Sequence, residues 1–164
     1  MTMEIALARV DSRLLHGQVA TFWTKYVNPN RILVVSDSVV KDQLRKTLIS
    51  QVAPANVKAN VISVDKMISI YQDSKFDSFK ALMLTETVED MVRLARGGVD
   101  FSTSGINLGN LAFTPGKQMI TDTIAVDDEV IAQIKTLTDE FSIHVYAQQV
   151  PSEKPQNVLD LINK

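Results

Sequence analysis

The chain has 164 residues, two of them histidine and none cysteine, with 17 Lys+Arg against 19 Asp+Glu and a formal net charge of −2. The lack of cysteine excludes disulfides, thiolate metal sites and cysteine nucleophiles, and suits a reducing compartment. The charge balance excludes a nucleic-acid binder that works by bulk positive charge, and 45% hydrophobic with 22% charged residues is the composition of a globular protein able to bury one core.

The first predicted element is a strand, the apolar run Ile5 to Val10, with Glu4 before it and Arg9 and Asp11 closing it. That run is too short for a signal peptide, and no segment is long and apolar enough to cross a bilayer. Gly17 to Tyr26 follows as a helix, with Val19, Phe22, Trp23 and Tyr26 at helical spacing. At least one of Phe22 and Trp23 is expected in the core. Asn28-Pro29-Asn30 stops it, because proline cannot continue a helix. "RILVVSD" is a second strand. Ser38 is the expected N-cap of the next helix, with Val40, Leu44 and Leu48 on one face and Pro54 at its end. "VKANVIS" is a third strand, Val64 to Tyr71 a third helix and "KALMLT" a fourth strand.

Thr85 or Thr87 caps a fourth helix carrying Val88, Met91 and Ala95, which stops at Gly97-Gly98. "GINLG" is a fifth strand. Residues 110–127 read as a loop with one or two short strands, Asp127 to Leu137 as a helix, and "SIHVYAQQV" as the last strand. A closing helix runs from Pro155 or Gln156 to Ile162. Strands alternating with helices predict βαβ crossovers. The expected fold is α/β, one three-layer domain over residues 1–164 with an open, mostly parallel sheet and helices on both faces.

In such sheets ligands bind beyond the carboxyl ends of the strands, which is where His16 falls, after the first strand and at the start of the first helix. A helix start offers unpaired N–H groups to an anion. Gly17 lets backbone approach a phosphate, and Arg13 brings a fork of donors. Asp11 can orient Arg13, bond loop N–H groups or hold the imidazole. A histidine at a helix start beside an arginine can offer one ring nitrogen to attack phosphorus. The local pattern equally fits a packed histidine capping a helix. There is no H-x-x-x-H or H-E-x-x-H metal pattern, no nucleophile elbow, and no Walker A or G-x-G-x-x-G loop. His144 falls within the predicted last strand, which points to a structural role. Asp37, after the second strand, is either a near-site residue or a cap. Five of the six glycines lie between Gly97 and Gly116; Gly97, Gly98 and Gly116 read as helix stops and turns. The loop there is expected to bring Asn107, Gly109 and Lys117 near the phosphate or a partner.

"RVDSRLLHGQVATFW" resembles the phosphorylation loop of IIB subunits of the mannose/fructose/sorbose family of the bacterial sugar phosphotransferase system. "NRILVVSDSVVKDQLRKTLISQVAPANVKANVISVDK", "GINLGNLAFTPGKQMIT" and "IHVYAQQVPSEKP" resemble its later segments in the family's order. The resemblance implies a phosphoryl carrier without cofactor or metal. His16 is the phosphorylated nucleophile, fed by a IIA phosphohistidine and discharging to a sugar that enters through membrane subunits IIC and IID. Asp11, Arg13, Gly17 and Gln18 form the phosphate site. It further implies a cytoplasmic protein held at the inner face of the membrane through IIC/IID, and leaves a homo-oligomer open. A regulatory or binding module of the same fold is the alternative. Two positions depart from the family pattern: Ser12, often acidic there, and Gly109-Asn110, where two glycines are common.

Overall fold

The computed structural model describes residues 2–17 and 19–163. The strands are β1 (Glu4–Asp11), β2 (Arg31–Val35), β3 (Lys58–Ile62), β4 (Lys80–Thr85), β5 (Ile106–Asn110), β6 (Gln118–Met119), β7 (Ala125–Val126), β8 (Val145–Ala147) and β9 (Gln156–Asn157). The helices are α1 (Thr24–Val27), entered through a π-helical turn at Val19–Trp23, then α2 (Gln43–Val52), α3 (Val64–Tyr71), α4 (Val88–Arg96), α5 (Asp128–Phe141) and α6 (Val158–Ile162).

Seven strands form one sheet in the order β3-β2-β4-β1-β5-β8-β9, parallel except for β9 at the edge. β6 and β7 make a separate antiparallel pair. Both faces are covered, because the strands are apolar on both sides. Along β4, Leu82 and Leu84 pack with Val19, Trp23 and Ile49 on one face. Ala81 and Met83 pack with Met67, Met91, Ile134 and Val158 on the other. This period-two split gives the three-layer α/β architecture. The connection after β1 turns to one face and those after β4 and β5 turn to the other. The carboxyl end of β1 therefore opens between oppositely directed connections, the usual place for a ligand in such a sheet.

Several boundaries move. Ser38 makes no side-chain cap; a 3-10 turn at Val39–Lys41 intervenes and Asp42 caps α2 through Arg45 N–H. The shift changes the helix's phase. Ile49 is its buried residue, while Leu44 and Leu48 are 69% and 52% exposed. Thr87, rather than Thr85, caps α4. α5 continues past Leu137 to Phe141, and the last strand shrinks to Val145–Ala147. The closing helix starts at Val158, capped by Asn157, after the short edge strand β9. Trp23 is buried and Phe22 is 52% exposed.

Candidate functional site

The site grows from the end of β1. After one slip in pairing between Ile5 and Leu7, alternation puts Leu7, Arg9 and Asp11 on the α1 side of the sheet. Arg9 and Asp11 are both fully buried. Beyond Asp11 the chain makes a tight turn. Asp11 Oδ1 accepts from Arg13 N–H at 2.9 Å, and the Asp11 carbonyl accepts from Leu14 N–H at 2.8 Å. Leu14 sits at φ 58°, a conformation that costs a non-glycine residue about 1–2 kcal/mol. Its side chain is fully buried, which contributes about 1.5–3 kcal/mol. Burial is thus of a size to offset the strain. With Leu15 also buried, the turn is fastened to the core, and His16 is carried at a fixed height above the sheet.

The His16 side chain is 18% exposed, and its Nε2 lies 3.0 Å from Asp11 Oδ2. An ionised carboxylate can only accept, so Nε2 carries the proton and Nδ1 keeps the free lone pair. Arg13 is half-exposed, its Nε 3.5 Å from Asp11 Oδ1. Burial pushes the Asp11 carboxyl up, but the His16 bond, the Arg13 N–H and the Arg9 charge together outweigh it. The net position is below the ordinary carboxylate value.

Arg9 is a residue the sequence reading took only as the charged end of an apolar run. Its Nη2 donates to Asp11 Oδ2 at 3.2 Å. Its Nη1 donates to Asn107 Oδ1 at 2.6 Å and to the Gln148 carbonyl at 3.0 Å. The guanidinium also lies 5.3 Å from the Trp23 ring centroid. Arg9 Nε is the buried side-chain donor left without a partner among the described residues. Asn107 is the register neighbour of Arg9 on β5 and donates to the same Gln148 carbonyl at 3.0 Å. Gly109 has its place for a different reason. A Cβ there would overlap the Arg9 guanidinium, and the β1–β5 pairing skips this residue, passing from Leu108 to Asn110. The available signals for Arg9 were a charge inside an apolar strand and its spacing of two from Asp11.

The other expected residues divide. Gly17 is exposed, with open space where a side chain would be. Gln18 lies outside the described residues. Asn107 and Gly109 sit behind Asp11, against Arg9, rather than beside the imidazole. Asp37 is engaged elsewhere: it accepts from Val64 N–H at the start of α3 and pairs with Arg93 at 2.8 Å, at the end of a strand separated from β1 by β4. Lys117 lines a surface cavity of about 340 Å³ that reaches Ser12, Glu86 and Thr114. Ser12 ties the two loops together, its N–H donating to the Asn110 carbonyl at 2.9 Å and its Oγ to Asn110 Oδ1 at 2.6 Å. His144 precedes β8, is exposed and stacks on Tyr146.

Residues 5–164 match the family described as "PTS system sorbose subfamily IIB component". The chain belongs to this IIB family. It is 35% identical over 162 residues to the sorbose-specific EIIB component of Klebsiella pneumoniae, covering 99% of this chain and 97% of that one. It is 36% identical over 160 residues to the fructose-specific EIIB component of Bacillus subtilis, covering 98% and 96%. It is 41% identical over 162 residues to the mannose-specific EIIAB component of Escherichia coli K12. That match covers 99% of this chain but 49% of the relative, so this IIB chain spans about half the length of the EIIAB proteins it matches. The crystal structure of the IIBSor domain of the Klebsiella pneumoniae sorbose permease superposes with a TM-score of 0.93 at 35% identity, covering 98% and 97% of the two chains. No helix among the described residues of this IIB chain is long and apolar enough to cross a membrane.

Proposed function

We propose that this IIB chain is a phosphoryl carrier of sugar uptake, a phosphohistidine–sugar phosphotransferase in which His16 Nδ1 takes and passes on the phosphoryl group. The observation that carries this reading is the Asp11–His16 pair at 3.0 Å. It occupies Nε2, orients the ring and leaves one nucleophilic nitrogen at the open end of the sheet. The family relationship supports the donor and acceptor. The donor is a phosphohistidine on a IIA protein or domain, as the EIIAB relatives suggest. The acceptor is a sugar hydroxyl presented through membrane subunits IIC and IID, which would hold this chain at the inner face of the membrane.

In the first transfer, the Nδ1 lone pair of His16 forms the new N–P bond. The donor's P–N bond breaks and its electron pair returns to the donor imidazole. The Nε2 proton stays, so the phosphorylated ring becomes cationic beside the Asp11 carboxylate. On this reading the phosphoryl oxygens are received by Arg13, half-exposed beside Asp11, whose fork suits them, and by the open backbone at Gly17. In the second transfer a sugar hydroxyl oxygen forms the P–O bond, the N–P pair returns to Nδ1, and the hydroxyl proton leaves to solvent. A ring that keeps its Nε2 proton departs as neutral imidazole, a better leaving group than imidazolate.

The test is incubation with phosphoenolpyruvate and the general phosphotransferase proteins. The expected adduct is acid-labile and base-stable, and it disappears in His16→Ala. Equal labelling of that variant would refute the assignment. Labelling of His16 with no sugar phosphate formed when IIC and IID are added would favour a regulatory module instead.

A further inference from the structure

We infer that Arg9 is a positioning residue for this chemistry: from inside the core it holds the Asp11 carboxylate against His16 Nε2 and keeps the shared proton on the imidazole. The inference rests on the proposed role of His16. It starts from an arrangement that packing alone does not explain. A buried ion pair is often replaceable by apolar residues without loss of stability. Yet this fold encloses a guanidinium on all sides. Asn107 of β5 and the Gln148 carbonyl beyond β8 hold one nitrogen, Asp11 holds another, and the Trp23 ring lies 5.3 Å away. Gly109 omits the Cβ that would overlap it. Four segments thus fix the charge in place, and one donor, Nε, goes unpaired in doing so.

What the charge acts on follows from the distances. Its only anionic partner among the described residues is Asp11, and it reaches Oδ2 at 3.2 Å. That is the same oxygen His16 Nε2 meets at 3.0 Å. Arg9 and the imidazole therefore approach one oxygen, with the cation on the core side. Two fixed donors on one oxygen pin the carboxylate's rotation, and the Arg13 N–H on Oδ1 completes the clamp.

The electrostatic effect has a definite sign. A buried carboxylate left alone becomes more basic and would draw the proton from Nε2 once the phosphorylated ring is cationic. Arg9 opposes this by lowering the proton affinity of Oδ2. The proton stays on nitrogen, and His16 remains a good leaving group in the second transfer. The other groups facing this cluster do not replace Arg9. Arg13 is half-exposed and approaches the opposite oxygen. Tyr146 is a phenol whose ionisation burial pushes up, and Trp23, Asn107 and Gln148 are neutral.

The experiment uses Arg9→Met and Arg9→Lys in the full chain, with two readouts beyond melting. One is the downfield Nε2–H proton resonance of His16 by NMR. The other is the rate of His16 phosphorylation by the small donor phosphoramidate, followed by the pH profile of phosphohistidine hydrolysis. Arg9→Met is expected to lose the resonance and to slow phosphorylation about 10-fold or more, by analogy with the loss when the partner that orients a metal-bound histidine is removed. The hydrolysis profile shifts with it, because the Nε2 proton is no longer held. Arg9→Lys restores charge without the fork and recovers part of the rate. A folded Arg9→Met with the resonance intact and a rate within about twofold of the parent overturns the inference. If Arg9→Met does not fold, Arg9→Lys decides: loss of the resonance or a threefold slower rate supports positioning, and parental values for both refute it. Failure of the parent chain to be phosphorylated would remove the proposed function instead, while the resonance would still report the Arg9–Asp11–His16 alignment.

Discussion

Replacing Asp11 by Asn keeps the side chain's shape and removes one negative charge from a position with no solvent exposure. The Arg9 guanidinium is then buried with no anion beside it, since its other partners are an amide and a carbonyl oxygen. Breaking a buried pair by removing one member costs about 3–5 kcal/mol. The amide makes matters worse, because an NH2 turned toward Oδ2's place meets two donors, Arg9 Nη2 and His16 Nε2–H. Against a total stability of about 5–15 kcal/mol, the loss is large. At about 2–4 °C per kcal/mol for a chain of this size, the melting temperature falls by about 6–20 °C. The assay is urea unfolding of parent and variant, with the midpoint lowered and the slope unchanged.

The pH dependence has a fixed sign. The folded Asp11 carboxyl lies below its ordinary value, so its contribution is fully present above the unfolded value of about 3.9. It is lost as the pH falls through the lower folded value. The stability gap between parent and Asp11→Asn should therefore be flat near neutrality and close in acid. Arg13→Ala, which removes a half-exposed partner of the same carboxylate, should cost no more than about 1 kcal/mol. An Asp11→Asn variant within about 1 kcal/mol of the parent at pH 7 would refute the view of Arg9 and Asp11 as a mutually dependent buried pair.

Two further outcomes test the packing around the site. Gly109→Ala should destabilise by about 1–3 kcal/mol, because the new methyl overlaps the Arg9 guanidinium; a phosphorylation assay on the folded fraction should slow as well, whereas Gly116→Ala, whose Cβ meets nothing but whose φ of 95° strains an alanine, should cost stability and leave phosphorylation of the folded fraction unchanged. On α2, Ile49→Ala should cost about 2–5 kcal/mol and Leu44→Ala or Leu48→Ala less than about 0.5 kcal/mol, since only Ile49 is buried. Chemical denaturation separates these cases, and equal losses at positions 44 and 49 would contradict the observed phase of the helix.

The layer plan was legible because burial on both faces makes each strand continuously apolar, and that signal survives small errors of boundary. Boundaries set by side-chain hydrogen bonds were less legible. Ser38 and Asp42 are both good caps by type, and only the 3-10 turn at Val39–Lys41 hands the role to Asp42. That four-residue delay exposes Leu44 and Leu48, so an apolar stripe chosen by spacing pointed outward. Shortened elements have a similar origin. The strand expected over residues 142–150 keeps its pairing with β5 only over Val145–Ala147, because at its front Ser142 and Ile143 close α5 through the Thr138 and Leu137 carbonyls.

The site was legible in its front half and hidden in its back half. Asp11, Arg13, His16 and Gly17 are close in sequence, so a turn brings them together. Arg9, Asn107, Gly109 and Gln148 meet only because β5 lies beside β1 and β8 beside β5, contacts set by strand order. Asn107 and Gly109 were expected in a loop near a phosphate or a partner, and both lie against Arg9. Their place follows from Arg9. Once a cation is buried at that strand position, its β5 neighbour must supply an acceptor, which Asn107 does. The next residue on the same face must give up its side chain, which Gly109 does. Asp11 must then remain ionised, since it is the charge that makes burial of Arg9 tolerable, and an ionised Asp11 can only accept from His16 Nε2. A chain of single requirements thus runs from a charged residue in the core to His16, whose ring is held through Nε2. Each link is a separate substitution whose effect on the imidazole can be measured.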